Sequence, residues 1–237
     1  NYTLAQHHTI AENCVAALKA NDFDINLMSC ELGLSELGEW MNFRIIFPES
    51  YELDPGDGHK VNLRLECFNS VEGSSRLQVR ITWQRLVCLN GIATGETKNV
   101  SNIHNAYMDL SEITKAINLI IQDIERQKEL FRKWTKIDIK NYLFEDWINQ
   151  NIASSSWGVK AACRIYHICN SGFDVELTKA FEKGLASKKT VRKLEAVPGS
   201  PPIAKSYYDV AQALSWVATQ RKDVEERSQW QADISKL

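Results

Sequence analysis

The chain has 237 residues, a formal net charge of −2, and apolar and charged fractions of 44% and 24%. These values suit a globular protein and exclude disordered, collagen-like and membrane-spanning classes. No apolar run approaches the roughly 20 residues of a membrane span. Asn1-Tyr2-Thr3 does not open a basic segment followed by an apolar one, so no signal peptide is expected and a cytoplasmic location is.

The charge is unevenly spread. Residues 1–60 hold 3 Lys or Arg against 10 Asp or Glu, and the remaining 177 hold 25 against 20. Either the acidic part packs beside the basic part and cancels it, or the basic part offers a working surface. The six cysteines, Cys14, Cys30, Cys67, Cys88, Cys163 and Cys169, form no Cys-x-x-Cys pair. They read as reduced thiols in a cytosolic core. Two paired strands would allow an oxidised pair such as Cys67 with Cys88, though reduced thiols are the expectation.

The first element is a helix over 4–20, capped by Thr3, with Leu4, Ile10, Cys14, Val15 and Leu18 along one face. A strand follows from Glu39 to Phe47, ended by Pro48, which cannot donate to a sheet ladder. Residues 52–59 (Glu-Leu-Asp-Pro-Gly-Asp-Gly-His) are turn chemistry throughout. Two long strands come next, over 61–68 and 76–88. Val61, Leu63, Leu65 and Cys67 alternate with Asn62, Arg64 and Glu66; Leu77, Val79, Ile81 and Trp83 alternate with Gln78, Arg80 and Thr82. They are expected to pair as a hairpin with Leu63, Leu65, Val79 and Ile81 buried. Arg64, Arg76 and Arg80 fall on the other face, open to solvent or a polyanion. Replacing them should then cost little stability.

Ile113, Ile117, Ile120, Ile121, Ile124, Leu130, Phe131 and Trp134 mark the buried stripe of one long helix over 110–135. Ser111 and Glu112 suit its start. Lys128, Arg132, Lys133 and Lys136 suit its end, where the helix dipole favours cations. Further helices are expected over 140–151, 156–170, 175–185 and 207–219, with the charged tail from Arg221 extending the last. Residues 197–202 (Val-Pro-Gly-Ser-Pro-Pro) read as a linker.

Strands before helices make this an α+β fold: an N-terminal antiparallel sheet with a β-β-β-α-like core, then a mainly helical C-terminal half. The chain is read as a single domain over 1–237. About 1–136 hold the sheet and the long helix, and about 137–237 the helical part. One long helix cannot both cover the sheet and serve the second half. Apolar surface should therefore remain for self-association.

Three segments, taken in order, resemble a known family: residues 85–91 (Arg-Leu-Val-Cys-Leu-Asn-Gly), 156–162 (Ser-Trp-Gly-Val-Lys-Ala-Ala) and 207–217 (Tyr-Tyr-Asp-Val-Ala-Gln-Ala-Leu-Ser-Trp-Val). The family is the phage- and plasmid-associated domain of unknown function 932. The resemblance implies a setting in mobile prokaryotic DNA and no particular reaction. A looser, architectural similarity is to the RecT-like single-strand annealing proteins. It implies an oligomer that holds single-stranded DNA in a basic groove.

Single strands are bound by cations along the backbone and aromatic faces on the bases. Candidate contacts are Arg64, Arg76, Arg80 and Arg85 on the sheet, Lys128, Arg132, Lys133 and Lys136 at the helix end, and Lys188, Lys189, Arg192 and Lys193 in the basic cluster. Each set also suits a solvated face or a helix end answering its dipole. Trp83, Trp134, Trp147, Trp157 and Trp216 sit at apolar periodic positions and read as core. Cys163, His167 and Cys169 lack a fourth ligand nearby and also read as core, not zinc. Asp54, Asp57 and Glu66 lack the acidic-x-Lys element of a metal-dependent nuclease. No metal, cofactor or catalytic motif is expected. The leading expectation is a nucleic-acid-binding protein of a mobile element that binds or anneals single-stranded DNA as a homo-oligomer. The rival is an interaction protein that inhibits or recruits a host defence factor.

Overall fold

The computed structural model describes residues 4–74, 76–86, 91–92, 100–102, 111–139, 141–177 and 191–234. They form two compact units. Unit 1 comprises residues 1–53, 60–84 and 93–128, and unit 2 residues 54–59, 85–92 and 129–237. The fold is α+β, with an antiparallel sheet in the N-terminal part and a mostly helical C-terminal part that carries a small second sheet.

Unit 1 starts with helix α1 (His7–Ala20); the expected cap, Thr3, lies outside the described residues. Strands β1 (Ser29–Leu34), β2 (Trp40–Ile46), β3 (Val61–Ser70) and β4 (Leu77–Arg85) follow in spatial order, and β6 (Val100–Asn102) pairs with β4. Leu63, Leu65, Val79 and Ile81 are all buried, as their two-residue period requires. Ile10, Cys14 and Leu18 of α1, with Ile113 and Ile117 of α2 (Ser111–Gln122), complete this core. Two buried side chains in it donate hydrogen bonds. Asn69 donates to the Ala5 carbonyl at 2.9 Å, and Trp83 Nε1 donates to Gln127 Oε1 at 2.7 Å. Cys67 is a free thiol beside Cys14, and that neighbour together with burial pushes it well up from its ordinary pKa. Cys88 lies outside the described residues.

The single helix expected over 110–135 is two helices, α2 and α3 (Ile124–Trp134), broken at Asp123. The Asp123 carboxylate accepts from Arg126 Nη2 at 2.8 Å and Gln127 Nε2 at 3.2 Å. Both bonds come from side chains and not from backbone N–H groups, so they brace Asp123 against the first turn of α3 without capping it.

In unit 2 lie α4 (Asn141–Ile148), a π-helical turn (Asn149–Ala153), α5 (Gly158–Ser171), α6 (Tyr207–Thr219) and α7 (Val224–Asp233), with the short strand β5 (Gly91–Ile92) against α6 and α7. The expected helix over 175–185 is corrected. Phe173–Leu177 is strand β7, paired antiparallel with β8 (Val191–Ala196). Gly172, at φ 70°, ends α5 and turns the chain into β7. Asp174 then locks β7 in place. Its carboxylate accepts from Arg164 Nη2 at 2.5 Å and Nε at 2.9 Å, and from Trp216 Nε1 at 2.8 Å. The stretch 197–202 is not helix, as expected, yet it is tied down: Val197 is buried and its N–H donates to the Gly172 carbonyl at 2.9 Å. The tail does not extend α6; Asp223 caps a separate α7 by accepting from the Glu226 N–H at 2.7 Å. Among the described residues no helix is long and apolar enough to cross a membrane.

Candidate nucleic-acid interface

Arg64 and Arg80 do not lie on an open face. Arg64 is 8% exposed and Arg80 3%. The β2–β3 register sets Arg44 directly beside Glu66, and the period of two puts Arg64 on the same face. Arg80 reaches Glu66 Oε2 from Nη2 at 2.7 Å and from Nε at 3.0 Å, while Arg44 and Arg64 approach Oε1 at 3.8 and 3.9 Å. Burial alone would raise the Glu66 carboxyl. The guanidiniums of Arg80, Arg44 and Arg64 override it and hold the carboxyl below its usual range. The expectation of a solvated face is therefore corrected for Arg64 and Arg80. Guanidiniums buried against a carboxylate are structural partners, and removing Arg80, which makes both hydrogen bonds to Glu66, is not cheap. Arg76, at the start of β4, is exposed.

Arg85 is 2% exposed and belongs to unit 2. Its Nη2 donates to Asp57 Oδ2 at 2.6 Å and to the Gly199 carbonyl at 3.0 Å, and its guanidinium lies 5.9 Å from the Tyr208 ring centroid. Within unit 2, one side chain thus ties together the 54–59 turn, the proline-rich stretch and α6. Asp54 and Asp57 serve that turn: Asp54 Oδ1 accepts from the Gly56 and Gly58 N–H groups at 2.8 and 3.2 Å.

The remaining cations differ. Lys128 pairs with Glu125 at 2.7 Å. Arg132, Lys133 and Lys136, at and just past the C-terminus of α3, are exposed. Among the described residues no carboxylate pairs with these three. Arg192 pairs with Glu176 across β7 and β8, and Lys193 Nζ lies 3.3 Å from the Phe173 ring centroid. Lys188 and Lys189 lie outside the described residues. Unit 2 as a whole holds 18 Lys or Arg against 15 Asp or Glu, and unit 1 holds 10 against 15. The positive balance thus belongs to unit 2.

Unit 2 also contains a cleft of about 350 Å³, lined by Trp147, Asn151, Ile152, Ser155, Trp157, Leu214, Asp233 and Ile234. The π-helical turn after α4 supplies Asn151 and Ile152; such turns recur at functional sites because they re-aim side chains out of the helical register. Trp157 stacks on Trp230 at 4.2 Å with planes 12° apart, and Arg221 lies 4.1 Å from the Trp230 ring centroid. Trp147 is half-buried, against its reading as core; Trp83, Trp134, Trp157 and Trp216 are buried. Behind Trp147, the rings of Phe144 and Tyr166 continue in near-parallel planes at 6.3 and 6.5 Å. The walls therefore combine the indoles of Trp147 and Trp157 with the polar side chains of Asn151, Ser155 and Asp233. Cys163 and Cys169, on α5, are buried, and burial pushes the Cys163 thiol up to about 11. Among the described residues no group of three His, Cys, Asp or Glu side chains is arranged to hold a metal ion.

Sequence reasoning missed this cleft. Its residues come from four separate elements, and no local spacing signals their convergence. The three family-like segments gave the nearest sign. They bring Arg85 onto Tyr208, and Trp157 to the same cleft as Leu214.

The family model described as Domain of unknown function (DUF932) matches residues 1–223. No curated protein and no solved structure matches the chain.

Proposed function

From a chain that belongs to the DUF932 family, we propose a protein that binds single-stranded nucleic acid through unit 2. The observation that carries this reading is the presence, in one compact unit, of exposed cations that pair with no carboxylate among the described residues and of a cleft lined by two tryptophans. Arg132, Lys133 and Lys136 hold backbone phosphates and release counterions without reading bases. The cleft takes a base. Its indole faces stack on any base, a contact worth roughly 1–3 kcal/mol. The acceptor oxygens of Asn151, Ser155 and Asp233 suit exocyclic amino groups and disfavour phosphate, so backbone and base occupy different places. The family resemblance of the sequence supports a setting in mobile DNA, where an oligomer that binds single strands would anneal them.

The test is fluorescence anisotropy of a labelled single-stranded oligonucleotide, titrated at several salt concentrations. Replacing Arg132, Lys133 and Lys136 together by Ala should lower the dependence of log K on log salt by about two units, at roughly 0.7 per lost contact. Trp147→Ala should weaken binding with little change in that slope, because stacking releases no counterions. A folded wild type that retains no single strand even near about 50 mM salt, where phosphate contacts are strong, refutes the proposal. That outcome favours a protein partner such as a host factor.

A further inference from the structure

Strand β1 ends the sheet, and all six of its residues are exposed. Its register with β2 sets Cys30 beside Ile45, Leu32 beside Phe43 and Leu34 beside Met41. Those three β2 side chains are buried core. The core face of the sheet thus runs on into β1, where Leu32 is 62% exposed and Leu34 55%. Leu27 and Leu37, just outside the strand, are 65% and 87% exposed.

An open edge of this kind templates pairing with another strand unless it is short, charged or broken by proline. Here it has no proline and no lysine. Its one charge, Glu31, is already paired with Arg44 at 3.2 Å.

We propose that β1 pairs antiparallel with β1 of a second copy, about a two-fold axis through Leu32. The strand Ser-Cys-Glu-Leu-Gly-Leu is self-complementary in that register alone. Leu32 meets its own counterpart, Cys30 faces Leu34, and Glu31 faces Gly33, which has no side chain to oppose it. An axis perpendicular to the sheet keeps apolar faces together only when it passes through a residue. Centring on Glu31 would set two carboxylates opposite each other, which is destabilising. Centring on Cys30 or Gly33 would pair only three of the six strand residues, against five about Leu32. The Leu32 register joins the apolar stripes of both copies and gives an isologous interface, the commonest oligomer geometry. This pairing lies in unit 1 and is independent of nucleic-acid binding by unit 2.

The test is the solution mass of the full chain at tens of micromolar. The wild type should run at about twice its 27.0 kDa. Leu32→Lys sets like charges opposite each other and should run as the monomer. Its far-UV circular dichroism should match the wild type, because Leu32 is exposed in the single chain, and its melting should not depend on protein concentration, as that of the dimer should. Leu34→Cys places a thiol opposite Cys30 of the partner subunit in this register only. Mild oxidation should then give a cross-linked dimer, lost again in Leu34→Cys/Cys30→Ser. A monomeric wild type, a Leu32→Lys protein that remains dimeric, or a Leu34→Cys protein that fails to cross-link each overturns the proposal. A monomer that instead captures an added strand of another protein does so as well.

Discussion

Glu66→Ala should be among the most destabilising substitutions in unit 1. Glu66 is 8% exposed and takes two hydrogen bonds from Arg80, with Arg44 and Arg64 a further 3.8 and 3.9 Å from its other oxygen. Removing it leaves three guanidiniums, two of them buried, without their central counter-charge. Breaking a buried pair from one side costs about 3–5 kcal/mol. With a urea m-value of about 2 kcal/mol/M, the midpoint should fall by roughly 1.5–2.5 M. Arg64→Ala should cost much less, on the order of 1 kcal/mol. Its contact is long, and its removal relieves a cluster in which cations outnumber carboxylates. The asymmetry separates a carboxylate-centred cluster from generic packing loss. Urea titration followed by far-UV circular dichroism gives the midpoints, and hydrogen exchange at β3 and β4 locates the loss. The pH sign follows from the lowered folded pKa. Glu66 stabilises above its unfolded value of about 4.3, and that contribution disappears as pH falls through the lower folded one. A Glu66→Ala protein within about 0.5 kcal/mol of wild type, the range of ordinary surface substitutions, would refute a buried, charge-compensated face.

Asp174 should behave alike in unit 2. Burial would raise its carboxyl, but Arg164 and the Trp216 N–H hold it below the usual range. Asp174→Asn should therefore cost about 1–3 kcal/mol at neutral pH. The gap to wild type should narrow as pH drops below about 4, where the unfolded carboxyl protonates, as read by thermal melts across an acid series. Gly172→Ala forces a Cβ at φ 70° to within 3.0 Å of the Pro201 carbonyl oxygen. A loss of roughly 1–2 kcal/mol is expected, against a stabilisation if the position were unstrained; urea midpoints distinguish the two.

Periodicity in the chain determined where α1, β2, β3, β4, α5 and α6 form, because each element's faces are written at a spacing of two or between three and four residues. It also determined that 52–59 and 197–202 turn, since Gly, Pro and Asp act locally. Other features depend on what lies against an element. The alternation at Arg64 and Arg80 marks a second face but does not say that the face is buried on Glu66. The apolar stripe over 110–135 is continuous, yet the helix breaks at Asp123, and no spacing of apolar residues marks that break. Phe173–Leu177 is too short for its period to decide between helix and strand; Asp174, held by Arg164 and Trp216 from two helices, decides it. β1 carried no signal, because Gly33 interrupts it and it exposes both faces, so only its pairing with β2 makes it a strand. The cleft is the extreme case. Trp147, Trp157 and Asp233 are separated by up to 86 positions, and only the packing of α4, α5, α6 and α7 sets their distance in space.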